Sequence, residues 1–135
     1  MQFNRILIIL SLSFLFIACK SNSELTMERG IYFYEIGDYN ASANQFNKII
    51  LSYQYDTQSL SANDIEILAQ AYQQLALCQA KLASQSNDFV DKKLHYENAL
   101  NNIKKAENFA IRPNKREEYR KTYLGILKKI NNYEF

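Results

Sequence analysis

The positions of small and aromatic residues between Gly30 and Phe46 constrain the fold of this chain more than any other feature. Gly30-x-x-Phe33 is followed by Ser42-x-x-x-Phe46, which places the two small residues twelve positions apart. Two antiparallel helices approach to roughly 8–10 Å only where a small residue on one faces a large residue on the other. The pattern therefore predicts two amphipathic helices folded back on each other.

Gly37 and Asp38 supply the turn between these two predicted helices. Glycine readily adopts the left-handed conformation that ends a helix, and an aspartate side chain accepts the free amides that begin the next one. We therefore expect the stretch from Gly30 to Tyr55 to form a helical hairpin.

The same spacing resembles the tetratricopeptide repeat, whose signature runs W-x2-L-G-x2-Y, then A-x3-F, then P. Gly30, Phe33 and the Ser42/Phe46 pair fill the glycine, tyrosine, alanine and phenylalanine positions, whereas Thr26 replaces the tryptophan. The resemblance implies a helix pair that stacks on further pairs as a solenoid. An ordinary helical hairpin is the alternative.

A second copy of the pattern follows after a gap. Tyr39 and Tyr96 are 57 residues apart, against the 34 residues of a single repeat step. Two insertions are therefore required, and we expect them in the polar stretches Gln54–Asn63 and Ser84–Asp88. The matching residues are Tyr72, Leu75 and Ala76 in the first half, with alanine in the glycine position, and Tyr96, Ala99, Ile103 and Ala106 in the second half.

Apolar periodicity predicts helices throughout the chain after residue 20, so the fold class is expected to be all-α. Three Gly and one Pro are too few turn residues for a β-sandwich or barrel. We expect residues 24–135 to form antiparallel helix hairpins, stacked as a short solenoid of about two repeats plus a C-terminal capping helix. The helices are expected to begin near Ser21 or Ser23, Asp38, Ala62, Asp88 and Asn114.

Two of these starts carry the form of a capping box. Ser21-x-x-Glu24 precedes the first helix and Asn114-x-x-Glu117 the last, so each polar pair can satisfy free backbone amides. Pro113 cannot continue the helix before it, which separates the last helix from the preceding one.

Residues 1–18 have the composition of a secretory signal peptide. Arg5 provides a positive start and Ile6 to Ile17 form a short apolar run. This run is too short to cross the roughly 30 Å hydrocarbon core of a bilayer as a helix, and its length suits a signal peptide.

Phe16-Ile17-Ala18-Cys19 resembles a bacterial lipobox. The resemblance implies that Cys19 is lipidated and becomes the mature N-terminus, with residues 19–23 as a polar tether and acyl chains as the membrane anchor. The alternatives are a plain signal peptide with a chance cysteine, or an uncleaved anchor.

Residues that carry chemistry are otherwise scarce. Cys78 lies in an apolar helical run and His95 lacks a second metal-binding neighbour, so we expect neither a metal site nor a cofactor. Asp88 and Asp91 fall at a predicted helix start, where acids stabilise the helix end. No phosphate-binding loop or nucleophile motif is present in the sequence, so the protein is not expected to be an enzyme or to bind a small-molecule substrate.

Charge is unevenly distributed along the chain. Residues 22–66 contain seven acids and two bases, a net −5, whereas residues 101–135 contain nine bases and four acids, a net +5. Each half could simply present a solvated face; alternatively, the basic end contacts an acidic partner or anionic head groups. Nucleic acid is not an expected partner, because no binding motif is present.

A lipobox followed almost at once by such a repeat resembles the lipoprotein of the bacterial outer-membrane β-barrel assembly machinery, the BamD type. Gly37-Asp38-Tyr39 through Phe46 looks like that family's first helix pair, and Tyr53-Gln54-Tyr55 looks like its aromatic-proline-aromatic turn, with Gln54 in place of proline. The resemblance covers roughly residues 24–83. The family carries more repeats than are predicted in this chain, so the contacts of its later repeats are not transferred.

The resemblance implies a membrane-anchored lipoprotein that acts as a protein–protein interaction scaffold in outer-membrane or envelope protein assembly. It would be located in the cell envelope, on the periplasmic face of the outer membrane, with a β-barrel assembly complex as a candidate partner. The first alternative is a surface-exposed lipoprotein that binds a host or environmental ligand. The second is an envelope hydrolase or its accessory subunit.

In tetratricopeptide repeats the first helix of each pair lines a concave face, and such a groove suits an extended or helical peptide. The alternative is that the linkers or the C-terminal helix fill this groove. The resemblance places in it Met27, Ile31, Tyr34 and Glu35 from the first pair, with Gln70, Gln73 and Leu77 from the second.

Overall fold

The computed structural model describes residues 20–132, and the regular secondary structure within this range is entirely α-helical. This confirms the predicted fold class. None of the described helices is long and apolar enough to cross a membrane. The helices are α1 (Asn22–Glu35), α2 (Tyr39–Tyr53), α3 (Ala62–Gln85), α4 (Phe89–Phe109) and α5 (Pro113–Asn132).

The helix starts follow the polar residues that precede them. The predicted Ser21 capping box is present, since Ser21 Oγ accepts from the Glu24 amide at 3.2 Å and the Glu24 carboxylate accepts from the Ser21 amide at 2.7 Å. Asp38 accepts from the Ala41 amide at the start of α2, and Asp88 caps α4.

The capping box predicted at Asn114 is wrong. Helix α5 begins at Pro113, so Asn114 lies inside its first turn instead of preceding it. Proline suits the first helical position because its missing N–H would lack a helical partner there. The Glu117 carboxylate instead forms an ion pair with Lys121 at 2.8 Å.

The first hairpin closes as its sequence predicts. Gly37 has φ 83°, the left-handed conformation that glycine permits. Farther along, Gly30 faces the ring of Phe46 so closely that a Cβ placed on Gly30 would lie 2.5 Å from Phe46 Cε1. Phe46 is fully buried, so its ring cannot move aside. The close contact therefore requires glycine at this position.

The second hairpin is longer because its helices are longer. Helices α3 and α4 contain 24 and 21 residues, against 14 and 15 in α1 and α2, whereas the connections 36–38 and 86–88 have the same length. The predicted break at Ser84–Asp88 is present as the connection 86–88, but the insertion predicted there is wrong, since the additional residues form helical turns. The other predicted insertion does include an irregular connection, residues 54–61, before α3 begins.

The helices are arranged in two layers, with α1, α3 and α5 in one and α2 and α4 in the other. Each helix packs against the next one in the chain, and α3 also contacts α1 and α5. No Cα atom of α2 lies within 8 Å of a Cα atom of α4, and both helices are described in full. This is a stack of helical hairpins, with α3 at its centre. The largest fully buried side chains between the layers include Tyr96, Phe46, Ile49, Leu68 and Ile103.

Candidate binding groove

A groove runs along α3, with α1 forming one wall and α5 the other. We call it the α3 groove, and it consists of two basins with volumes of about 280 and 190 Å³. The first basin lies over the N-terminal half of α3 and the second over its C-terminal half. The first basin is lined by residues that include Met27, Glu66, Gln70, Ile111, Arg112 and Tyr119, and the second by residues that include Tyr34, Leu77, Thr122 and Ile126.

Gln73 lies between the two basins. Its side chain is only 6% exposed, and its Nε2 donates to Glu118 Oε1 at 3.1 Å and to Thr122 Oγ1 at 3.2 Å. Both acceptors belong to α5. The prediction that Gln73 faces an open groove is therefore wrong, because α5 covers this side chain. At this point the structure agrees with the alternative, in which the C-terminal helix fills the groove.

Four of the seven predicted groove residues do line a basin. Met27 and Gln70 lie together in the first basin, and Tyr34 and Leu77 lie together in the second. In each pair one residue comes from α1 and the other from α3. The structure therefore brings residues of the two predicted helices together, but in two separate basins.

Ile31 and Glu35 line neither basin. Ile31 is half-buried and packs against the hydrophobic core, again as the filled-groove alternative expects. Glu35 is exposed. It follows Tyr34 directly, and one step along a helix of 3.6 residues per turn rotates a side chain by about 100°. Its placement in the groove is therefore wrong.

An ion pair that the sequence did not indicate crosses the first basin. Arg112, in the connection before α5, pairs with Glu66 of α3 through Nε–Oε1 at 2.6 Å and Nη2–Oε2 at 2.8 Å. Such two-point contacts fix the geometry of an arginine and a carboxylate. The acidic and basic halves of the chain thus meet in this basin. The opposite charges of the two halves were the only sequence signal that could have indicated it.

Tyr119 supplies a neutral hydrogen-bond donor at the wall of the first basin. The residue is 2% exposed. Burial raises its pKa to about 12, with smaller contributions from the Glu118 and Glu66 carboxylates and an opposing one from Arg112. The phenol therefore stays protonated at neutral pH and can donate to an acceptor in the basin.

Most charges of α5 and its preceding connection are balanced within the chain. Exposed pairs of this kind contribute little to stability, and their presence favours the solvated-face interpretation of the basic half. The pairs are Arg112 with Glu66, Lys115 with Glu118, Arg120 with Glu107 and Lys121 with Glu117.

Within residues 20–132 no cluster of three or more histidine, cysteine or acidic side chains could hold a metal ion. His95 Nδ1 lies 2.6 Å from Gln79 Oε1. Cys78 is fully buried, and burial raises the pKa of its thiol to about 11. Cys19, the predicted lipidation site, lies outside the described residues.

Comparison with protein families, curated proteins and solved structures found no match to this chain.

Proposed function

We propose that this chain is a tetratricopeptide-repeat lipoprotein of the bacterial cell envelope, which binds a polypeptide segment of a partner protein in the first basin. The observation that carries the proposal is the basin itself, formed by one side of each of α1, α3 and α5. A surface shared by the alternate helices of a hairpin stack is the surface that repeat proteins use for extended ligands.

The chemistry of the first basin suits a peptide with an apolar side chain. Met27 and Ile67 are buried at its floor, and Ile111 at its edge is 49% exposed. Gln70 and Tyr119 add polar groups that can bond to a peptide backbone. An apolar anchor surrounded by a few polar contacts is the usual arrangement of a peptide-binding site. The role in outer-membrane protein assembly is supported only by the sequence resemblance.

The groove is tested by introducing a charge at an exposed apolar position. Ile111→Asp places a carboxylate at the edge of the first basin and should abolish partner crosslinking from a photoreactive residue at position 70. Leu124→Asp is the matched control. The Leu124 side chain lies on α5, is 55% exposed and lines neither basin. Crosslinks would be collected in intact membranes, with melting temperatures measured for both variants.

Crosslinking that survives Ile111→Asp, or that falls equally with Leu124→Asp, would exclude the first basin as the binding site. A photoreactive residue at the exposed position 101 of α4 should give no adduct, since it lies on the other layer.

The membrane anchor is tested separately by Cys19→Ala. The variant should lose acyl labelling and leave the membrane fraction, because the proposed acyl chains can no longer be attached. A variant that still partitions into detergent with an intact N-terminus would instead identify the apolar run of residues 6–17 as the anchor.

A further inference from the structure

A polar cleft lies between α1 and α2, where α1 begins and α2 ends. It has a volume of about 270 Å³ and shares no lining residue with either basin of the α3 groove. A water molecule occupies about 30 Å³ of liquid, so the cleft is large enough for a small polar group. We call it the α1–α2 cleft.

The charges in this cleft are exceptional for their part of the chain. Residues 22–66 contain seven acids and only two bases, Arg29 and Lys48. Both bases line the α1–α2 cleft, and its lining contains no acidic side chain. Two like charges at one cleft repel each other, and an anion bound between them offsets this repulsion.

The hydroxyl groups of the cleft donate their hydrogens within the protein. Thr26 Oγ1 donates to the Asn22 carbonyl at 2.8 Å, and Ser52 Oγ donates to the Ile49 carbonyl at 2.7 Å. Ser23 Oγ lies 2.8 Å from the Tyr53 hydroxyl, which itself donates to Asp64. These three hydroxyls are therefore not the donors that a ligand would use.

Four other side chains of the cleft remain available as donors. Arg29, Lys48, Asn22 and Gln45 make no side-chain hydrogen bond or ion pair within residues 20–132, and all four line the cleft. The guanidinium and the ammonium have only donor hydrogens, and the two amides can turn their NH₂ groups toward a ligand. This set matches an anion with several acceptor oxygens.

We propose that the α1–α2 cleft is an anion site that binds a phosphate group. Arginine binds phosphate oxygens at two points, and lysine adds a compact positive charge. The phosphate could belong to a lipid head group or to a free phosphate compound. Asn22 is three residues from Cys19, at most roughly 11 Å along an extended chain. The lipid source rests on the proposed acyl anchor, whereas the anion site does not.

The test is a titration of the full-length protein, in neutral detergent micelles, with inorganic phosphate, followed by NMR of backbone and arginine side-chain resonances. We expect saturable shifts in Arg29 and neighbouring residues of the cleft. Arg29→Gln with Lys48→Gln should weaken this binding at least tenfold. Lys128→Gln with Lys129→Gln is the matched control, because it removes the same charge from residues outside the cleft and should leave the affinity unchanged.

Absence of saturable shifts, or equal weakening by the control pair, would overturn the site. Micelles containing phosphatidylglycerol distinguish the two sources. If the lipid shifts the same resonances and inorganic phosphate competes with it, the head group is a ligand. If only inorganic phosphate binds, the anion site stands and the lipid source is rejected. Acyl labelling at Cys19 is scored independently, so a failed anchor and a failed anion site are told apart.

Discussion

The two hairpins carry different residues at the positions where the first hairpin brings a small residue against a large one. The first hairpin has Gly30 against Phe46. The second has Ala76 and Ile103 at the equivalent positions of the pattern, and the side chains of Phe46, Ala76 and Ile103 are fully buried. The second hairpin adds a methyl group on one helix and has a smaller side chain on the other. Because protein interiors are close-packed, we expect the combined volume of the pair, more than glycine itself, to set how closely the helices approach.

The hairpins also differ in polarity at a second position of the pattern, which is Ser42 in the first hairpin. Ser42 Oγ donates to the Gly30 carbonyl at 2.7 Å, and Cys78 Sγ of α3 donates to Ser42 Oγ at 3.2 Å. The equivalent residue of the second hairpin is Ala99, which has no hydroxyl. The buried hydroxyl therefore links the two hairpins as well as the two helices of the first.

The largest effect is expected where the first pair is overfilled. Gly30→Leu should destabilise the protein by about 1–3 kcal/mol or more, because its side chain must enter the space that the Phe46 ring occupies. Thermal unfolding followed by circular dichroism measures the change. Gly125→Leu in α5 is the control, since a Cβ there meets nothing within 4 Å. It should leave the melting temperature unchanged or raise it.

Exchanging one pair for the other tests the expected role of their combined volume. Gly30→Ala with Phe46→Ile gives the first hairpin the alanine–isoleucine pair of the second. The double variant should be more stable than the sum of the two single changes predicts, by about 0.5–3 kcal/mol. Strict additivity would contradict the view that combined volume sets the approach.

A smaller effect is expected from removing the shared hydroxyl. Ser42→Ala should cost about 0.5–1.5 kcal/mol for each hydrogen bond lost, because it removes the donor to the Gly30 carbonyl and the acceptor of the Cys78 thiol. Chemical denaturation measures the difference. Ala99→Ser makes the opposite change in the second hairpin and should also destabilise, since it buries a new polar group. A gain in stability from Ser42→Ala would show that the hydroxyl does not stabilise the contact.

The last effect is confined to alkaline pH and concerns Cys78. Burial raises its pKa from 9.0 to about 11, so the folded state holds the proton more tightly than the unfolded state. The resulting stabilisation is fully present below pH 9 and is lost as the pH rises to about 11.

In a Cys19→Ala background, the difference in melting temperature between the protein with Cys78 and its Cys78→Ala variant should therefore change over this interval, with the thiol-containing protein losing stability faster. Tyr119 also loses stabilisation at high pH, but it does so equally in both proteins. A difference that is constant from pH 8 to pH 11 would contradict the assigned environment of the thiol.

The sequence predicted the elements whose buried faces are continuous. The Gly30–Phe46 contact and the second copy of the pattern follow from side chains that must be buried, and so they leave a periodic signal. The first turns of α4 leave none, since Phe89, Val90 and Leu94 are all more than half exposed. Without such a stripe the sequence does not show that the second hairpin is lengthened by helical turns, and the predicted insertion at Ser84–Asp88 is placed in a loop instead.

The candidate site was less predictable than the fold. Met27 and Gln70 could be placed because the repeat resemblance assigns the first helix of each pair to the concave face. The division of the groove depends on Gln73 meeting Glu118, which lies 45 residues away in the chain. That contact is set by how α5 lies on α3, and no periodicity within a single helix encodes it.

The central position of α3 has a consequence for the order in which the molecule assembles. Most of the packing in this protein joins helices that are adjacent in the chain. Chains rich in such local contacts fold quickly, because little loop entropy is lost before each contact forms. The first hairpin can therefore close before α4 and α5 are in place. The first basin cannot form at that stage, since Arg112 and Tyr119 belong to the last helix and the connection before it.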